Sequence, residues 1–131
     1  MTTYSLSWCI GVGDDADGGK KRSPAWSDIE QKLSDAWKRS GTVTLDVSDG
    51  PDIGPQSLQM QTENAQAVIM LGVDDGAEYE VRTYSEGLHI HDVEILGNRW
   101  SGKTVCSDLN IVSRAFREFS DTGDVSGDLL D

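Results

Sequence analysis

Cysteine, histidine and cationic residues are scarce in this sequence, and long apolar runs are missing. Cys9 and Cys106 are the only two cysteines, too few for a disulfide framework and better suited to buried free thiols in a reducing compartment. No apolar stretch approaches the roughly 18 residues that a membrane span needs. The opening MTTYSLSWCIGV has no basic region ahead of its short apolar run, so no secretory signal is expected there. Lysine and arginine total 11 against 23 aspartates and glutamates, a net charge of -12. Such a surface keeps a protein soluble, repels nucleic-acid phosphates and anionic membranes, and steers a basic partner towards it. The expectation is a cytoplasmic protein whose partners include neither nucleic acid nor membrane.

What is present reads as one α+β domain over residues 1–131, with an acidic tail from 121 to 131. A first strand is expected where Leu6, Trp8 and Ile10 alternate, followed by GDDADGGKKRS as an exposed, mobile loop. Trp26, Ile29, Leu33, Ala36 and Trp37 fall at helical spacing. Ser23 is the expected cap of that helix, with Pro24 at its first position, Ser27 and Glu30 as a further capping box, and Gly41 as its stop. Asp28 with Lys32 and Asp35 with Arg39 sit four apart as favourable pairs. Strands follow at Val43 to Val47, around Leu58 and Met60, and at the continuously apolar Ala67 to Leu71, which suits a strand covered on both faces. Asp75 and Gly76 mark a hairpin into a strand in which Tyr79, Val81 and Thr83 share a face and Glu80 and Arg82 could pair. A turn at Ser85 to Gly87 should lead into a strand LHIHDVEIL, broken near His91 and Asp92 where the apolar parity shifts. A last helix begins near Ser107 or Asp108, carries Leu109, Val112, Ala115, Phe116 and Phe119 on one face and stops at Gly123. Val125, Leu129 and Leu130 can then dock the tail. The expected fold is a largely antiparallel sheet with two helices packed on one face.

Chemistry-bearing patterns are few. GNRWSGKT satisfies the phosphate-loop pattern through Gly97, Gly102, Lys103 and Thr104, with Asp74 placed like a magnesium-binding aspartate, and this would make a nucleotide-binding enzyme. Against it, only one helix and a tail follow, and short turns link the central strands where a nucleotide fold needs crossovers. A turn at Gly97 and Asn98 is the plainer reading. His89 and His91, the only histidines, would share one face of a strand and could bind metal in a β-rich protein, with Asp92 or Glu94 as a third ligand; surface histidines flanking Ile90 are the simpler alternative. No Gly-x-Ser-x-Gly elbow and no Cys–His dyad can be argued. We therefore expect no catalytic residue, no cofactor and no bound metal.

The C-terminal third, through GNRW at residues 97–100, TVCSDLNIV, and EFSDTGDVS at residues 118–126, resembles an immunity-protein family of bacterial polymorphic toxin and contact-dependent growth inhibition systems. Members are similar in carrying a glycine–asparagine turn before a helix that ends in E-F-x-x-T-G. The resemblance implies a small, non-catalytic α+β protein that binds and neutralises a cognate toxin domain, often a nuclease with a basic cleft. Under that implication Asp14, Asp15, Asp17, Asp74, Asp75, Asp121 and Asp124 are the candidate partner-binding carboxylates, and Trp100 beside Arg99 is the candidate aromatic at the contact.

Overall fold

The computed structural model describes every residue except Met1, Val12, Gly13 and Asp15. The fold is α+β: a six-stranded sheet, antiparallel throughout, two helices on one face, and a small two-stranded sheet. In chain order the elements are β1 (Thr3–Ile10), β2 (Asp17–Arg22), α1 (Trp26–Arg39), β3 (Gly41–Asp49), β4 (Gly54–Glu63), β5 (Gln66–Asp74), β6 (Tyr79–Thr83), β7 (Val93–Ile95), β8 (Asn98–Trp100) and α2 (Leu109–Thr122). The large sheet runs β2-β1-β3-β4-β5-β6, and β7 pairs with β8.

Alternation sorts each strand between two faces. Leu6, Ile10, Val43, Leu45, Leu58, Met60, Ala67, Ile69 and Leu71 face the helices and meet Ile29, Leu33, Ala36, Val112, Ala115, Phe116 and Phe119 in one core. On the other side of β5, Val68 is buried with Ile95 and Val105, and Met70, Val93, Leu96 and Trp100 pack around them. The unbroken apolar run of β5 thus has a layer on each side. Val125, Leu129 and Leu130 are buried in the main core, so the tail docks as its sequence suggests.

Several expectations are corrected. Residues 17–22 are an edge strand: they pair with β1 from Ser5–Arg22 to Ile10–Asp17. The strand carries no apolar residue because its work is done by the main chain, and Gly19 lies under the Trp8 indole, where an added Cβ would sit 2.5 Å from the ring. Helix α1 starts two residues later than Ser23 implies. Its N-cap is Ala25, whose N–H donates to the Asp28 carboxylate at 2.8 Å, while Ser23 adopts a positive φ and donates its N–H to Tyr4. Asp28 pairs with Lys21 at 3.0 Å, and Lys32 lies over the Trp8 ring. Helix α2 has the expected limits, with Asp108 accepting from the Asn110 N–H and Gly123 left-handed at its end.

Residues 84–92 form no strand, contrary to expectation. Gly87 donates its N–H to the Lys103 carbonyl, and any Cβ on Gly87 would meet the Gly102 carbonyl oxygen; a Cβ on Gly102 would meet that of His89. Main chain packs directly on main chain there, which two glycines permit and which draws the segment away from the edge of β6. Arg82 turns from Glu80 and instead reaches the tail, donating to the carbonyls of Val125 at 2.8 Å and Leu130 at 2.7 Å and to Asp124 at 3.2 Å. No helix is long and apolar enough to cross a membrane among the described residues.

Candidate functional site

The segment matching a phosphate loop is spread over three different local structures. Leu96 and Gly97, with φ of 52° and 82°, are the central residues of the β7–β8 turn; Asn98 already pairs with Ile95 as part of β8. The turn therefore lies one residue earlier than Gly97–Asn98. Arg99 and Trp100 complete β8, and Gly102–Thr104 is a single 3-10 turn. Thr104 donates its hydroxyl and its N–H to the Ser101 carbonyl. A phosphate loop needs inward N–H groups at the start of a long helix, and here Gly102 is occupied by main-chain packing. Lys103 precedes no helix of that kind.

The histidines are not partners on a strand. The His89 ring nitrogen Nε2 lies 3.3 Å from the Gln66 amide and 3.2 Å from Ser107 Oγ, at the edge of a recess of about 310 Å³ lined by Tyr84, Leu88, Val105, Ser107 and Ile111 among others. His91 is exposed, as are Leu88 and Ile90. The nearby Asp108 carboxylate caps α2 through the Asn110 N–H. A serine–histidine contact exists, but among the described residues the His89 ring is seen bonded to Gln66 and Ser107 and to no carboxylate, so a hydrolytic triad is not seen there. Burial pushes the Cys106 thiol above its ordinary value, and its Sγ donates to the Asp108 carbonyl. Cys9, expected buried, is exposed; both thiols are free.

The candidate partner-binding carboxylates fall into separate places. Asp17 pairs with Ile10, which pairs with Gly41, and Gly41 with Thr62; Asp17 and the Asp14 loop therefore mark one end of the sheet. Asp15 lies outside the described residues. Asp74 pairs with Gly54 and Tyr79 at the opposite end, several strands away. Asp121 and Asp124 sit in the helix layer, paired with Arg117 and Arg82 respectively. Trp100 is not at a free surface: it is half-buried in the Val68–Ile95–Val105 cluster, with its indole N–H buried.

One of those groups belongs to a larger assembly that the list of candidates overlooked. From residue 40 to residue 81 the sequence holds Asp46, Asp49, Asp52, Glu63, Asp74, Asp75, Glu78 and Glu80 and no lysine, arginine or histidine. Glu63 accepts from the Leu96 N–H at the far end. The other seven are brought together by the register: Asp46 and Asp49 end β3, Asp52 lies in the β3–β4 loop, and the rest surround the β5–β6 turn. The two loops touch, since a Cβ on Gly76 would stand 3.3 Å from Ile53 Cδ1. Asp75 organises its turn by accepting from the N–H groups of Ala77 at 2.9 Å and Glu78 at 2.7 Å, and those bonds hold its carboxyl below the usual aspartate range. Asp75, Glu78 and Glu80 oxygens lie within 4.8 Å of one another, all exposed. Between these charges are three large apolar side chains open to solvent: Ile53 (63%), Tyr79 (61%) and Val81 (55%). A cation-free run of 42 residues was visible in the sequence; that both loops close on one end was not, because it depends on strand register.

Comparison with known proteins follows the fold. The chain belongs to DUF6911, a family of unknown function, whose profile matches residues 7–129. A crystal structure of a hypothetical protein from Neisseria gonorrhoeae is similar in fold, with a TM-score of 0.74 at 18% identity over 96% of this chain and 92% of that one. No curated protein matches this chain.

Proposed function

We propose that this DUF6911 chain is a non-catalytic binding protein that captures a basic protein on the acidic end of its sheet, and that the partner is a toxin domain which it neutralises in the cytoplasm. The observation that carries the reading is the acidic end itself: seven carboxylates without a cation in the same stretch, interleaved with exposed Ile53, Tyr79 and Val81. Contact surfaces combine apolar anchors with a charged rim, and a field of one sign raises association rates towards roughly 10⁸ M⁻¹s⁻¹ at low salt. The resemblance of GNRW and EFSDTGDVS to immunity proteins is what favours a toxin domain as the basic partner. Within this reading Asp74 and Asp75 keep their role. Asp14 and Asp17 lose theirs by position, and Asp121 and Asp124 by their ion pairs.

The reading predicts that the gene immediately upstream encodes a large secreted protein with a variable C-terminal domain, and that domain is the probe for the test. Co-expression with that domain should rescue growth, and surface plasmon resonance should give an association rate that falls steeply with salt. Replacing Asp52 and Glu78 by lysine should slow association at least about tenfold. The same reversal at Asp14 and Asp17 should leave it within about twofold. Equal effects at both ends, or no capture of the domain at all, would sink the proposal.

A further inference from the structure

The two edges of the large sheet are finished differently. At one edge, β2 presents Lys20, Lys21 and Arg22 in succession, all three exposed, a row of like charge that discourages another strand from pairing. At the other edge is β6, YEVRT, rich in strand-forming residues and with no proline.

The hydrogen-bond pattern says which main-chain groups of β6 point outward. Thr83 exchanges both of its bonds with Asp131 of the tail: its N–H donates to the Asp131 carbonyl at 3.4 Å and its carbonyl accepts from the Asp131 N–H at 3.1 Å. Thr83 therefore faces away from β5. In an antiparallel ladder residues alternate between partners, so Arg82 and Glu80 bond inward to Leu71 and Val73, while Val81 and Tyr79 direct their N–H and carbonyl groups outward. The Asp75 N–H bond to the Glu78 carbonyl continues the same alternation. Among the described residues nothing pairs with the outward groups of Tyr79 and Val81. The side chains of these two residues stand on the face opposite the helices, Tyr79 lying across Gly72 beside a hollow of about 200 Å³ that includes Gln59 and Met70. The carboxylates of Asp75, Glu78 and Glu80 cluster at the start of this edge.

We infer that β6 is a docking edge: a strand of the basic partner, alternating cationic and apolar residues, adds to the sheet alongside Tyr79 and Val81. The inference rests on the acidic end being the contact surface, and it adds the mode of contact. Main-chain hydrogen bonds supply affinity and the alternate side chains supply selectivity. Lysine or arginine side chains of the added strand meet the carboxylate cluster, and its apolar side chains extend the Tyr79–Val81 surface. The occupant is a cationic strand because a second copy of this chain would bring its own carboxylates to the same place.

The probe is a nine-residue peptide alternating lysine with valine, compared with its fully N-methylated analogue, which keeps charge and apolar surface but cannot pair. Amide exchange followed by NMR should show the Tyr79 and Val81 N–H groups exchanging at least tenfold more slowly at saturating peptide, with no such change for the analogue. Val81→Pro removes an N–H that the fold does not use and should abolish binding of the peptide while leaving the spectrum elsewhere folded; Val81→Thr should retain it. Equal binding of peptide and analogue, lost on Asp52→Lys with Glu78→Lys, would overturn strand addition and leave the acidic-end reading standing. Failure of both peptides to bind at millimolar concentration would overturn the inference, and capture of the toxin domain would still test the function separately. Slow exchange at Tyr79 and Val81 that depends on protein concentration without peptide would give the edge to a second copy and overturn it as well.

Discussion

At the scale of single residues, the tight turns show how backbone conformation and side-chain choice can disagree. The β4–β5 turn places Asn64 and Ala65 at φ of 55° and 58°, between the pair Glu63 and Gln66. Asparagine tolerates this region, whereas an alanine Cβ there costs roughly 1–2 kcal/mol. Ala65→Gly should therefore raise the unfolding free energy by about 0.5–1 kcal/mol, the strain relieved less the extra freedom of glycine in the unfolded chain. Urea denaturation checks it, with an increase in midpoint at unchanged slope. Leu96 has the same backbone at φ 52°, but its side chain packs against the second cluster and its N–H reaches Glu63 at 3.0 Å, so the equivalent change there should not help. The sequence places neither turn at its correct residues. The Asn–Ala step lacks glycine, and Gly97–Asn98 suggests a turn shifted by one residue, because the requirement lies in φ and leucine is an unexpected occupant of that region.

At the scale of elements, the strongly patterned ones were legible and the ones held by main chain were not. Apolar spacing located α1, α2, β3, β4 and β5, since each buries a face in a core and burial writes period into sequence. Edge strand β2 carries no apolar side chain to bury, and the loop through His89 and Ile90, which bends at Ile90 and His91, has strand-like residues but is pinned by glycine contacts far away in sequence. Capping was misplaced for a related reason: the first turn of α1 is closed by a carboxylate reaching back from Asp28. The Lys21 hydrogen bond, then the Ala25 N–H, hold its carboxyl below the ordinary aspartate range. A group whose folded pKa is depressed contributes stability above its unfolded value, near 4, and loses that contribution as pH falls through the folded value. Asp28→Ala should thus be less stable than the parent at pH 7, and the gap should close on acidification below about pH 4. Thermal unfolding followed across pH 2 to 7 measures both limbs.

The tail is an element in its own right, and Arg82 is its fastening. Its guanidinium reaches two carbonyls and the Asp124 carboxylate, from a side chain only 28% exposed. Charge-assisted bonds of that kind contribute about 1.5–3 kcal/mol where burial is partial. Arg82→Ala should destabilise the fold by about 2 kcal/mol and expose the segment carrying Val125, Leu129 and Leu130. Limited proteolysis followed by mass spectrometry should detect early cleavage after residue 123 in the variant and not in the parent. Retention of the tail at the parent's rate would show that burial of the three apolar side chains suffices without the arginine. The docking of the tail was legible from its apolar residues; its cationic anchor was not, because Arg82 is read locally beside Glu80 and finds its partners more than forty residues away.

At the scale of the whole molecule, the charge of -12 places stability and recognition in opposition. Repulsion among like charges destabilises a compact state, and it is concentrated where Asp49, Asp52, Asp75, Glu78 and Glu80 share one end of the sheet. Salt of about 0.5 M shortens the screening distance to a few ångströms, so the unfolding temperature should rise between low and high salt. Asp52 and Glu78 are exposed, and neither side chain is seen in a hydrogen bond or ion pair, so lysines there remove four units of negative charge at little packing cost. The double variant Asp52→Lys, Glu78→Lys should unfold at a higher temperature than the parent at low salt, and the two should converge as salt increases. If the acidic end existed only to keep the chain soluble, that variant would gain stability and lose nothing. Under the function proposed it gains stability and loses at least about tenfold in association with a basic partner. Measuring both quantities on one protein separates the cases: a stabilised variant that still captures its partner at the parent's rate would show that the charge at this end is a property of the surface and not of a binding site.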